Sequence, residues 1–118
     1  MKYILKTNSR KYFLNNKEKA REIAESRIEY FNCFYKFYFN KIRIKKQKSR
    51  WGSCSEKGNL NFNYKIIFLP QKFSDYVFVH ELCHIKEFNH SKKFWELVKK
   101  TIPDYKEIRN EFKKITVS

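Results

Sequence analysis

Two hydrophobic periods run along this chain, and the change from one to the other marks its elements. Apolar residues recur at Ala20, Ile23, Ala24, Ile28, Phe31, Phe34, Tyr35 and Tyr38, the three-and-four spacing of a single helix face. Asn15, with Glu18 three residues on, reads as the cap of this helix, and the pattern carries it to about Asn40. The aromatic run from Phe31 to Phe39 reads as packing surface, because most of its rings fall on the apolar side. Residues 1–14 form a short lead-in, in which Tyr3, Leu5 and Phe13 suggest a strand.

The period then falls to two. Ile42 and Ile44 alternate with Lys41, Arg43 and Lys45, and Leu60, Phe62 and Tyr64 alternate with Asn59, Asn61 and Asn63. Each run is a half-buried strand. The polar connection between them holds both glycines, Gly52 and Gly58, so the pair predicts a β-hairpin with a wide loop. Ile66–Leu69 extends this sheet as far as Pro70. The row Asn59, Asn61, Asn63 is expected on one side of the hairpin, whose open edge can take an extended peptide by strand addition.

Helical spacing returns after Pro70. Ser74 and Asp75 can open a helix running to about Phe88. Its apolar residues, Tyr76, Val77, Phe78, Val79, Leu82, Ile85 and Phe88, go nearly all the way round, which places it at the centre of the protein. Asn89-His90-Ser91 breaks it, and Ser91 can cap a following helix whose buried side is Phe94, Trp95, Leu97 and Val98. Pro103 ends that helix. Asp104 and Glu107 are spaced as a capping box for a last helix carrying Tyr105, Ile108, Phe112 and Ile115. The expected fold is α+β. It has a long N-terminal helix, a small antiparallel sheet or hairpin, a central helix and two C-terminal helices, in one domain over residues 1–118.

The central helix also carries the chemistry. The chain has three histidines, His80, His84 and His90, all within one eleven-residue stretch that reads His80-Glu81-Leu82-Cys83-His84 and then His90. Residues four apart share a helix face, so His80 and His84 can point at one metal ion. His90 follows a chain reversal that can return it to the same ion. Glu87 and Glu96 are rival third ligands, since carboxylates also bind zinc. Three protein ligands with one position left open is the pattern of a catalytic zinc site. Zinc lowers the pKa of a bound water to near neutrality, and Glu81 stands where it can take the proton and pass it to a leaving amine. The expected activity is therefore peptide-bond hydrolysis with one Zn2+ ion and Glu81 as general base. Trp51 can line the cleft, and Tyr105 and Arg109 are candidate oxyanion stabilisers.

Charge and cysteine content narrow the setting. The net charge is +15, from 27 basic and 12 acidic residues, which favours polyanions such as nucleic acid as well as a peptide or unfolded-protein substrate. No stretch reaches the roughly 18–20 apolar residues of a membrane span, and the first residues lack the apolar core of a signal peptide. The expected location is cytoplasmic. Cys33, Cys54 and Cys83 are an odd, dispersed set rather than a disulfide framework. Cys83, about 100° round the helix from His84, is expected to be buried and turned away from the ion.

Several blocks together resemble the YgjP-like zinc metallopeptidases. They are Arg50-Trp51-Gly52-Ser53-Cys54, Gly58-Asn59-Leu60-Asn61-Phe62-Asn63, Asp75-Tyr76-Val77 leading into the His80–His84 motif, His90-Ser91-Lys92-Lys93-Phe94-Trp95, and Pro103-Asp104-Tyr105. The likeness spans roughly residues 16–115, and extends more distantly to SprT-like proteases and small minigluzincin scaffolds. It implies a zincin-like fold, zinc on His80, His84 and His90, and Glu81 as base. Two alternatives follow from neighbouring likenesses. A SprT-like protease would act on protein bound to DNA. A YbeY-like ribonuclease has a similar histidine spacing, but with glycine where this chain has Glu81. Glu87 stands where metzincins have glycine, which argues against that branch.

Overall fold

A computed structural model of the chain describes residues 10–117. Helix α1 is Arg10–Tyr35, 26 residues long. Its buried face is Ala20, Ala24, Ile28 and Phe31, as the spacing predicts. It starts before the expected cap, so residues 10–14 are helical and Asn15 lies inside the helix; any strand in residues 1–9 falls outside the described residues. Packing explains the extra turns. Phe13 and Tyr12 set their rings against Tyr64, at 5.3 and 6.2 Å, and Tyr12 stacks on Phe68. The helix also stops earlier than its aromatic pattern suggests. Lys36 takes a left-handed backbone (φ 59°) and its N–H reaches the Asn32 carbonyl, the usual way to close a helix C-terminus. The Asn32 side chain then holds both the N–H and the carbonyl of Phe37, each at 2.8 Å. Of the aromatic run, Phe31 is buried, but Phe34 and Tyr38 are exposed (59% and 91%).

Strands β1 (Ile42–Lys45), β2 (Gly52–Cys54) and β3 (Leu60–Asn63) form a mixed sheet in the order β1-β3-β2. The two alternating segments do not form an antiparallel hairpin. They pair in parallel, Ile42 with Leu60 and Ile44 with Phe62. The antiparallel partner comes from the polar connection itself, with Gly52 opposite Phe62 and Cys54 opposite Leu60. The chain thus crosses from one side of β3 to the other. Asn63 holds that crossing, its Nδ2 donating to the carbonyls of Gln47 (2.9 Å) and Arg50 (3.0 Å). The asparagine row is accordingly not on an open edge: Asn61 and Asn63 are buried on the central strand and Asn59 is buried just before it. The free edges belong to β1 and β2.

Leu60, Phe62 and Ile44 face the helices, and Phe62 meets Phe78 edge-on at 4.9 Å. Tyr64–Phe68 is a 3-10 turn rather than more sheet, capped by Asn63 Oδ1 accepting from the Lys65 N–H. Helix α2 (Gln71–Cys83) begins at Pro70, not at Ser74. The Ser74 hydroxyl instead donates to the Gln71 carbonyl, and Asp75 accepts two 2.9 Å hydrogen bonds from Arg27 of α1. Nine of its thirteen residues are buried, so it does occupy the centre. It ends five residues before Phe88, because past Cys83 the backbone tightens, with Ile85 and Lys86 bonding three residues back. Ser91 caps α3 (Lys92–Thr101) as expected, its Oγ accepting from the Phe94 N–H. Asp104 precedes α4 (Tyr105–Phe112) without a side-chain cap bond, so the predicted capping box does not form. Among the described residues no helix is long and apolar enough to cross a membrane.

Candidate metal centre

Two segments bring the histidines together. The last turn of α2 supplies His80, its C-cap is His84, and the loop before α3 supplies His90. Their Nε2 atoms form a nearly equilateral triangle: His80 to His90 2.9 Å, His84 to His90 3.1 Å, His80 to His84 3.2 Å. Three tetrahedral zinc–nitrogen bonds of about 2.0–2.1 Å would place the nitrogens roughly 3.3 Å apart, so the donor set fits such an ion closely. Among the described residues this is the one group of three or more His, Cys, Asp or Glu side chains close enough to hold a metal. Neither Glu87 nor Glu96 puts its carboxylate in it. Glu87 contributes its backbone carbonyl, 3.1 Å from His84 Nδ1. If that nitrogen carries the hydrogen, Nε2 is left free as a ligand.

Ring stacking holds the remaining geometry. His84 lies on Phe94 (4.4 Å, 22° between planes), and His90 lies on Trp95 (5.9 Å, 23°). Trp95 in turn stacks on Tyr105 (5.1 Å, 10°). His90 is exposed, so these rings are its support. Burial drives the His80 pKa down to about 3, helped by the neighbouring His84 and His90 and by Arg109. The imidazole is thereby kept neutral, the form that binds metal.

Glu81 is 8% exposed. Burial pushes its carboxyl up to about 8, against the pull of the Arg50 guanidinium. Its backbone neighbour in space is β2. A Cβ at Gly52 would meet Glu81 Cγ, Val77 Cγ1 and the Asn61 carbonyl, all at 3.1 Å, so the missing side chain lets α2 lie directly on this edge strand. Cys83 is buried, its thiol pushed up to about 12 by desolvation and facing Tyr35 rather than the histidines. Tyr35 donates to the Leu97 carbonyl and lies 2.9 Å from Thr101 Oγ1, tying α1 to α3 behind the centre.

The cleft beside Glu81 and His80 is lined by Trp51, Gly52, Tyr76, Arg109, Phe112 and Lys113, among others. Trp51 does face it. Of the two candidate oxyanion stabilisers, Arg109 reaches this cleft, whereas Tyr105 serves the Trp95 stack. Two participants had no role assigned from the sequence. Tyr76 stands one helical turn before His80, and its ring lies 5.7 Å from that imidazole; its i−4 spacing was a usable signal, masked by the apolar pattern around it. Arg50 faces Glu81 through the strand crossing, which no local pattern announces.

A search of curated proteins finds no match to this chain. Among solved structures, the crystal structure of the metallopeptidase zymogen of Pyrococcus abyssi abylysin is similar, with a TM-score of 0.67 and 25% sequence identity. The alignment covers 75% of this chain and 90% of that one. The family model for the YgjP-like metallopeptidase domain matches residues 6–115, nearly the whole sequence. With its three histidines converged and Glu81 beside them, the chain belongs to the YgjP-like metallopeptidase family.

Proposed function

We propose that this protein is a zinc-dependent peptidase in which His80, His84 and His90 hold one ion and Glu81 is the general base. The observation that carries the reading is the triangle of Nε2 atoms with a buried carboxylate on the same helix. A zinc ion, when bound, polarises the scissile carbonyl and acidifies water. Glu81 accepts the proton of the attacking water and returns it to the departing amine. The outer edge of β2 offers unpaired backbone groups to an extended peptide. Gly52 on that strand touches Glu81, so a peptide added there runs past the base. An unfolded segment meets this requirement better than a folded surface.

The test compares wild type with Glu81→Gln for zinc content and cleavage of an unstructured protein. The variant is expected to keep one zinc per chain and to lose turnover by at least about a thousandfold. Wild-type activity in the variant would remove Glu81 from the mechanism, and purified wild type without zinc affinity would remove the metal.

A second reading has one observation in its favour. Residues 30–55 hold seven cations and no acidic residue, and Arg43, Lys45, Lys46, Lys48 and Arg50 are all exposed. This surface suits a polyanion, in which case the substrate is protein associated with nucleic acid. Single-stranded DNA added to the cleavage assay would then raise the rate, and the gain would vanish at high salt.

A further inference from the structure

The cleft beside the candidate base is a built pocket with a defined chemistry. Its cavity is about 280 Å³, the size of one or two side chains. Trp51, Tyr76, Val77 and Phe112 give it apolar walls, and Arg109 and Lys113 stand at the exposed rim. Glu81 is its one acidic lining residue.

Arg109 is held in place without a counter-ion. Its guanidinium lies 4.9 Å from the centre of the Trp95 ring, and Trp95 is itself stacked on Tyr105. It also faces the Tyr76 phenol and favours that group's charged form against its burial. Yet among the described residues the ion pairs are Arg21 with Glu18, Arg27 with Asp75, and Lys72 with Glu111. Glu111, two residues along α4 from Arg109 and so on a different face of the helix, pairs with Lys72 instead. Among the described residues neither Arg109 nor Lys113 has a carboxylate at ion-pair distance. Guanidinium groups fixed by aromatic stacking recognise carboxylates in two-pronged geometry.

We propose that this pocket is a specificity subsite for a carboxylate carried on an apolar stem next to the scissile bond, with Arg109 as the residue that selects it. The proposal rests on the peptidase reading above. The carboxylate is supplied either by a glutamate side chain or by the free C-terminus of the substrate. An apolar stem fits the walls, and the charge meets Arg109 with Lys113 adding to the field at the rim. Because both cations are exposed, the preference is partly screened and falls as salt rises.

Binding and cleavage separate this proposal from the reading beneath it. The probes are labelled peptides of neutral sequence: one with a single central Glu, its Gln counterpart, and a shorter neutral peptide ending as free acid or as amide. Fluorescence anisotropy on zinc-loaded Glu81→Gln protein reads affinity without turnover. Either the Glu peptide over the Gln peptide, or the free acid over the amide, is expected to bind roughly tenfold tighter at low salt, and which pair does so identifies the source. Arg109→Leu should bring that ratio to about one, and Arg109→Lys should keep part of it. In the wild-type enzyme the same ratio should appear in kcat/KM, mainly through KM. Equal affinity within both pairs, or a ratio untouched by Arg109→Leu, overturns the subsite. So does an equal fall in kcat on the Glu and Gln peptides in Arg109→Leu, which would make Arg109 a stabiliser of the transition state instead. Absence of cleavage with the binding ratio intact would count against the peptidase reading and leave the carboxylate site standing.

Discussion

At the level of single residues, the centre depends on two positions that carry no ligand atom, Trp95 and Gly52. Among the described residues His90 has no hydrogen-bond partner beyond the other two imidazoles, so its orientation comes from the Trp95 face, with the Phe94 ring edge-on beside it. Supporting groups of this kind are commonly worth 10–100-fold in metal affinity. Trp95→Leu is therefore expected to weaken zinc binding by about tenfold in competition with a coloured chelator, with Trp95→Phe keeping most of the affinity. An unchanged affinity in the leucine variant would assign the stack to packing alone. Gly52 is the opposite case, a side chain that must be absent. Gly52→Ala drives a methyl into three atoms at 3.1 Å, one of them on Glu81. Overpacking of this sort costs about 1–3 kcal/mol, and here the helix that gives way carries the base. A lower kcat with zinc content preserved is the expected result. That His80 and His84 converge was legible because helix geometry alone aligns positions four apart. Trp95's role was not, because it depends on where a chain reversal sets His90 down.

Among the elements, helices were read more truly than the sheet, and the reason is physical. A helix satisfies its own backbone, so its spacing appears within one segment. Strand pairing is settled by partners far along the chain. Alternation correctly marked residues 42–45 and 60–63 as strands, but gave no sign that they run parallel with Gly52–Cys54 supplying the antiparallel neighbour. Two asparagine side chains hold it, Asn63 at the end of β3 gripping the crossing and Asn32 turning the chain after α1. Helix ends follow the same logic. Ser91 was a legible cap because its acceptor and donor lie three residues apart, whereas the early start of α1 comes from rings of another element. Ser91→Ala should cost about 1 kcal/mol of stability, visible as a lower melting temperature. Because Ser91 directly follows His90, the same change should also lower zinc affinity, while Ser91→Asp should restore both. Loss of stability with zinc affinity intact would show that α3 and the third histidine are held independently.

For the molecule as a whole, the centre places two groups with opposite electrostatic demands in one desolvated site. In the metal-free protein, burial depresses His80 to about 3 from 6.5 and raises Glu81 to about 8 from 4.5. The two act on folding in opposite directions. His80 binds its proton more weakly when folded, so its contribution is complete above pH 6.5 and is lost as pH falls toward 3. Glu81 binds its proton more tightly when folded, so its contribution is complete below pH 4.5 and is lost as pH rises toward 8. A protein stripped of metal thus has to hold a charge it disfavours on either side of the mildly acidic range. Glu81→Gln removes one of the two demands and leaves the other. Melting curves of chelator-treated wild type and variant should coincide apart from a constant offset below pH 4.5. Between pH 4.5 and 8 the variant should gain on wild type, by an amount on the order of 5 kcal/mol at most, and above pH 8 the gap should stay level. His80 contributes equally to both curves and drops out of the difference. A gap that does not change with pH would mean that Glu81 finds solvent or a cation in the metal-free state, and that its burial is a property of the occupied centre alone.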